Sequence, residues 1–150
     1  MTILPIAVVV LLAAGCMKRS YQPIGEGPPL NVSGIYESEE TLQSTTCGPV
    51  ATRKQKVRVE VQQPPAGGTI KLVYDARPYD ARLLPNGNFT ATPLAVTTSG
   101  VTYTTAITGR FTDTGFHARV AVRVDDGPRA RGDSRPPGCN YELRWAATKL

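Results

Sequence analysis

The stretch Phe116-His117-Ala118-Arg119-Val120-Ala121-Val122-Arg123-Val124-Asp125 decides the fold class. Phe116, Ala118, Val120, Val122 and Val124 fall on one parity. His117, Arg119, Ala121, Arg123 and Asp125 fall on the other. Successive side chains of a strand point to opposite faces, so this period of two describes a strand with one buried and one wet face. The same pattern recurs at Val57, Val59 and Val61 against Arg58, Glu60 and Gln62. It recurs again at Tyr141, Leu143 and Trp145 against Glu142, Arg144 and Ala146. No segment carries the 3.6-residue repeat of an amphipathic helix.

Further strands are expected at 34–42, 69–75, 79–84, 88–93 and 101–108, where Thr, Tyr and Val are frequent. Turn residues separate them: Pro64-Pro65-Ala66-Gly67-Gly68, Asn86-Gly87-Asn88, Ser99-Gly100 and Asp113-Thr114-Gly115. The Asn-Gly step between 79–84 and 88–93 is the strongest hairpin signal. About eight short strands joined by short turns predict an all-β antiparallel meander, folded as a small barrel or half-barrel, with a β-sandwich as the alternative. Closure of a barrel removes the sheet edges that invite aggregation. The one long irregular stretch is 125–138.

Two of the three cysteines flank this region. Cys47 follows the first strand and Cys139 opens the last. An exported domain with one such pair oxidises it, so a Cys47–Cys139 disulfide is expected to tie the first strand to the last. A two-cysteine metal site, the alternative, lacks nearby histidines.

The third cysteine closes an uncharged apolar run at residues 3–14, too short to span a bilayer but suited to the core of a signal segment. The run ends in Leu12-Ala13-Ala14-Gly15-Cys16, which resembles the bacterial lipobox. The resemblance implies a signal peptide over 1–15, removed to leave a diacylglyceryl- and acyl-modified Cys16 at the new N-terminus. The alternative is an ordinary secretory signal cut near Ala14 or Gly15, leaving Cys16 a free thiol. Two or more acyl chains, such as palmitate, anchor stably where one binds marginally. Met17, rather than aspartate, follows the cysteine. By that resemblance the outer membrane is the expected location, with the domain facing the periplasm of the cell envelope. Residues 16–32 carry Pro23, Gly25, Gly27, Pro28 and Pro29 and read as a flexible tether. Residues 33–150 make up a single β domain.

Of the 150 residues, 41% are hydrophobic and 19% charged, with 14 glycines and 13 prolines, a globular composition rich in turns. A net charge of +5 favours acidic partners: anionic lipid, acidic polysaccharide or an acidic envelope protein. Arg129, Arg131 and Arg135 make the densest basic stretch and are candidates for partner or anion binding. Neither that stretch nor Arg53-Lys54-Gln55-Lys56 interleaves aromatics with base, so nucleic acid is not an expected partner.

No motif points to catalysis, a cofactor or a metal. His117 is the only histidine, which leaves no His-based metal cluster, and it falls on the polar parity of its strand. Glu39 and Glu40 are adjacent on a strand, point to opposite faces and are poorly placed to share a proton. Asp125-Asp126-Gly127 reads as a turn rather than a calcium loop. Arg131-Gly132-Asp133 is a three-residue coincidence. The sequons Asn31-Val32-Ser33 and Asn88-Phe89-Thr90 have no role in a lipoprotein.

Gly34-Ile35-Tyr36 and Arg144-Trp145 together resemble the Gly-x-Trp opening and closing cation of small barrels of the lipocalin and avidin group, with Tyr36 in the tryptophan's place. Two functions are expected of such a monomeric domain. One is a non-enzymatic envelope lipoprotein that docks a partner or surface. The other is a carrier of a small molecule or lipid, its cavity lined by Tyr36, Tyr103, Phe116, Tyr141 and Trp145. In the carrier reading these aromatics compete with a plainer role, that of filling the barrel.

Overall fold

A computed structural model describes residues 30–48, 54–127 and 138–150. The elements are β1 (Gly34–Thr45), β2 (Lys54–Gln62), β3 (Thr69–Tyr74), β4 (Arg77–Leu83), β5 (Asn88–Ala91), β6 (Leu94–Thr98), β7 (Val101–Phe111), β8 (Gly115–Asp126) and β9 (Cys139–Lys149). All pairings are antiparallel. Neighbours follow chain order from β1 to β5. β5 then pairs with β7, β7 with β8, β8 with β9, and β9 returns to β1. Eight strands therefore close into a barrel, as the meander reading expected, and a sandwich is ruled out.

The ninth strand comes from a break in the expected segment 88–93. β5 and β6 run in succession along the same edge of β7: Thr90 faces Thr108, and Leu94 faces Thr105. The outer chain takes four steps where β7 takes three, leaving one extra residue. That bulge falls at Thr92-Pro93, where proline offers no N–H to a ladder. Beyond it β6 parts from β4. The last link between them is the Thr92 N–H donated to the Asp80 carbonyl at 2.8 Å. Pro78 lies on the stretch of β4 that has only β3 beside it, where a missing donor costs the sheet nothing.

The hairpin turns follow their residues. Between β3 and β4 both Asp75 and Ala76 have positive φ, at 49° and 56°. Between β6 and β7 Ser99 and Gly100 do the same, at 52° and 79°. Two central residues of positive φ make the type I′ geometry that matches strand twist. The Asn86-Gly87 turn differs because Pro85 fixes a negative φ ahead of it. Gly87, with φ of 84°, donates its N–H to the Leu84 carbonyl at 2.9 Å, so the pair closes a type I turn ending in a left-handed glycine.

Alternation decides what faces inward. Phe116, Ala118, Val120, Val122 and Val124 of β8 are buried, as are Val59 and Val61 of β2 and Trp145 and Ala147 of β9. At one end, reached by the start of β1 and the end of β9, four rings pack at tilted and edge-to-face angles. Tyr36 and Phe116 have centroids 5.2 Å apart, Phe89 and Phe111 5.0 Å, and Phe111 and Phe116 5.4 Å. Gly109 makes room for them, since a Cβ there would lie 2.6 Å from the Phe89 Cζ. Val32, within the stretch read as tether, is buried against this end. Its carbonyl accepts the Tyr36 hydroxyl at 2.7 Å, and its N–H is donated to Gln63 Oε1 at 2.9 Å. The end where Leu30–Ser33 meets the barrel is thus packed shut.

Candidate functional site

The opposite end is organised by two features, the disulfide and a buried acid. Cys47 and Cys139 are bonded, their Cα atoms 4.9 Å apart across 92 residues of chain. Beside them Asn140 donates its N–H to Thr46 Oγ1 at 2.9 Å, and the Thr46 N–H is donated back to the Asn140 carbonyl at 2.8 Å. This clip holds the far ends of β1 and β9 together just past a bulge, where the register shifts between Leu42 and Ser44.

Within that end lies an open recess of about 450 Å³. β1 contributes Glu40, Leu42 and Thr45 to it, and β2 contributes Gln55. Tyr74 comes from the end of β3 and Tyr103 from the start of β7. Val124, Tyr141 and Leu143 complete the wall from β8 and β9. The walls are mostly apolar, and the polar side chains are three phenols, the Thr45 hydroxyl, an amide and one carboxylate. A larger depression of about 760 Å³ lies over the outer surface of β3 and β4. Its charged groups are exposed, Lys71 lying 3.7 Å from Asp80, and no buried polar group opens into it.

Glu40 is the feature that sets the recess apart. Strand parity sends it inward while Glu39 points out to an ion pair with Lys54 at 2.8 Å. Glu40 is only 4% exposed. Its Oε2 accepts the indole N–H of the fully buried Trp145 at 2.7 Å and the Tyr74 hydroxyl at 3.1 Å, and its Oε1 accepts the Gln55 amide. Trp145 stacks edge-on against Tyr74 with centroids 4.7 Å apart. All three donors are neutral. Among the described residues no Lys, Arg or His lies within ion-pair distance of Glu40. Buried charges are ordinarily paired, so this arrangement is unusual.

The surroundings hold the Tyr74 and Tyr141 hydroxyls in their protonated form. Burial, then the negative charge of Glu40 and the hydrogen bond to it, pushes the Tyr74 hydroxyl well above the usual tyrosine range. The Tyr141 hydroxyl is raised as well, first by burial and then by Tyr103 and Glu40.

Of the five aromatics expected to line a cavity, the structure brings Tyr103 and Tyr141 into the recess. Trp145 lies behind it, reaching it through Glu40. Tyr36 and Phe116 are at the closed end, where they are part of the packing. The cation over the Tyr36 ring is Lys149, its Nζ 5.9 Å from the centroid, while Arg144 is exposed on the outer wall. His117 is exposed on that wall too. Cys16, Arg129, Arg131 and Arg135 lie outside the described residues. Among the described residues no group of three His, Cys, Asp or Glu side chains is placed to hold a metal ion.

Sequence reasoning missed Glu40, Tyr74 and Gln55. The signal for Glu40 was present, because two adjacent acids on a two-faced strand must send one of them inward. No protein family, curated protein or solved structure matches the chain.

Proposed function

We propose that this is an exported, lipid-anchored binding domain. Cys16 carries the anchor, and the open end of the barrel receives a small ligand. The observation that carries the reading is the buried Glu40 at the edge of an otherwise apolar, tyrosine-lined recess. Ligand sites are concave, mostly apolar and furnished with a few placed polar groups, commonly in the range of about 300–1,000 Å³. A barrel mouth is one of their usual places. The direction of the chain supports the anchor as well. Leu30–Ser33 meets the barrel at its packed end, so a tether arriving there leaves the recess facing away from the membrane.

Native mass spectrometry of the oxidised chain, exported and gently purified, tests the binding. A stoichiometric adduct that survives desalting and is recovered from the denatured extract is the expected result. A bare polypeptide mass from every preparation, with no ligand in the extract, would overturn it. The anchor has its own test, the incorporation of labelled palmitate into the native chain and its loss in Cys16→Ser.

A further inference from the structure

The recess has a definite electrostatic sign. Glu40 is its one charged side chain, and the described walls offer no lysine, arginine or histidine to an incoming group. The positive charges nearest along β2 are turned outward and occupied: Lys54 holds Glu39, and Lys56 holds Glu37 at 2.7 Å. A carboxylate or phosphate entering the recess would meet Glu40 with no cation among the described lining residues to compensate it. An uncharged apolar ligand would leave the buried carboxylate without a counter-charge among the described residues.

An ammonium group does what neither of these does. It supplies an opposite charge, which no described residue offers, to a carboxylate held in place by three donors. It also gains from the rings of Tyr74, Tyr103 and Tyr141, since aromatic side chains attract organic cations through their negative faces. We infer that the recess selects a small organic cation, an ammonium group bound between Glu40 and the three tyrosines. This rests on the reading of the barrel mouth as a ligand site and names the class of ligand. The choice of cation follows from the sign of the site, and the choice of a small molecule from the volume of about 450 Å³.

The experiment compares choline with its neutral carbon isostere, 3,3-dimethylbutan-1-ol, on the full oxidised chain by calorimetry and by the fluorescence of Trp145. Choline is expected to bind at least about tenfold more tightly than the isostere. Glu40→Gln, which keeps the size and an acceptor oxygen, should remove most of the preference for choline over the isostere and leave only what the tyrosine rings supply. Should Glu40→Gln fail to fold, Tyr141→Leu at the half-buried wall is the second variant and should weaken choline more than the isostere. n-Butylamine is a further arm. Preference for choline points to a quaternary headgroup and preference for butylamine to a primary amine, and either supports the inference.

Equal binding of choline and isostere, or choline binding that survives both substitutions, would overturn the cation class and leave the site standing. Failure of all three probes also overturns the cation class. If the native mass spectrum then still shows a bound adduct, the binding reading survives, and if it shows a bare chain, that reading falls too.

Discussion

The two ends of the barrel are built from the same pattern and do opposite things. At the closed end Tyr36, Phe89, Phe111 and Phe116 fill the section with carbon, and Val32 is pressed over them. At the open end Glu40, Gln55, Tyr74, Tyr103 and Tyr141, which are polar or carry a polar tip, share the inward positions with Leu42, Val124 and Leu143. Dry aromatic packing stabilises through buried area and shape. A carboxylate bound to three neutral donors is costly to bury and contributes little to stability by comparison. The difference places dry apolar packing at one end and, on the reading proposed above, recognition at the other, where the disulfide supplies the stability that the polar wall does not.

Breaking the Cys47–Cys139 bond tests how much of the open end depends on it. With a 92-residue separation, loss of the crosslink in Cys47→Ala/Cys139→Ala is expected to cost about 4–5 kcal/mol on the chain-entropy model. Urea unfolding would measure it. Hydrogen exchange should show the ends of β1 and β9 near the clip loosening before the Phe116 layer does.

A pair of truncations contrasts the ends directly. Phe116→Ala removes a ring that is 1% exposed and should cost about 3–5 kcal/mol. Tyr103→Ala removes one that is 38% exposed and should cost under about 1 kcal/mol. Comparable losses in urea melts would erase the distinction.

Alkali should act through the tyrosines. Tyr36, Tyr74 and Tyr141 all have folded-state pKa values raised above the ordinary 10.0, burial being the leading cause in each. Above pH 10 the unfolded chain loses these protons while the folded barrel keeps them. The native state therefore binds more protons, and stability falls as pH rises. Stability from these groups is expected to be intact below pH 10 and to decline from there upward. Phenolate absorbance of native and urea-unfolded protein, followed in parallel, should show the native curve displaced to higher pH.

The smallest effect is a gain. Ala76 holds φ of 56° in the β3–β4 turn, a left-handed conformation that costs an L-residue about 1–2 kcal/mol. Ala76→Gly should raise the urea midpoint by about 1 kcal/mol of stability, offset in part by glycine's greater freedom when unfolded. It lies beside Tyr74 but outside the recess, so a change in ligand affinity would show that the turn sets the position of that ring.

Most of the closed barrel was legible because its information is local. Val57-Arg58-Val59 and Phe116–Asp125 state their parity within a few residues, and Cys47 and Cys139 name the strands that must meet. β6 was not legible, since the residues Leu94–Thr98 follow a proline and their place depends on a bulge opposite β7. The candidate site was half legible. Tyr141 was read from its face, and Tyr103 as one of the aromatics of the barrel. Glu40 acquires its meaning from Trp145, 105 residues away, and no local pattern carries a hydrogen bond of that span.

That same distance orders the assembly of the molecule. β3 with β4, β6 with β7, and β7 with β8 are hairpins that can form as soon as their residues are together. The pairing of β1 with β9, which carries the disulfide and the indole of Trp145 onto Glu40, must wait for nearly the whole domain. Until then β1 presents an open edge, and its acid lacks the indole donor of Trp145. On contact order the barrel is expected to seal last at the seam on which its recess depends, and a chain caught before that moment would have neither a closed wall nor a formed recess.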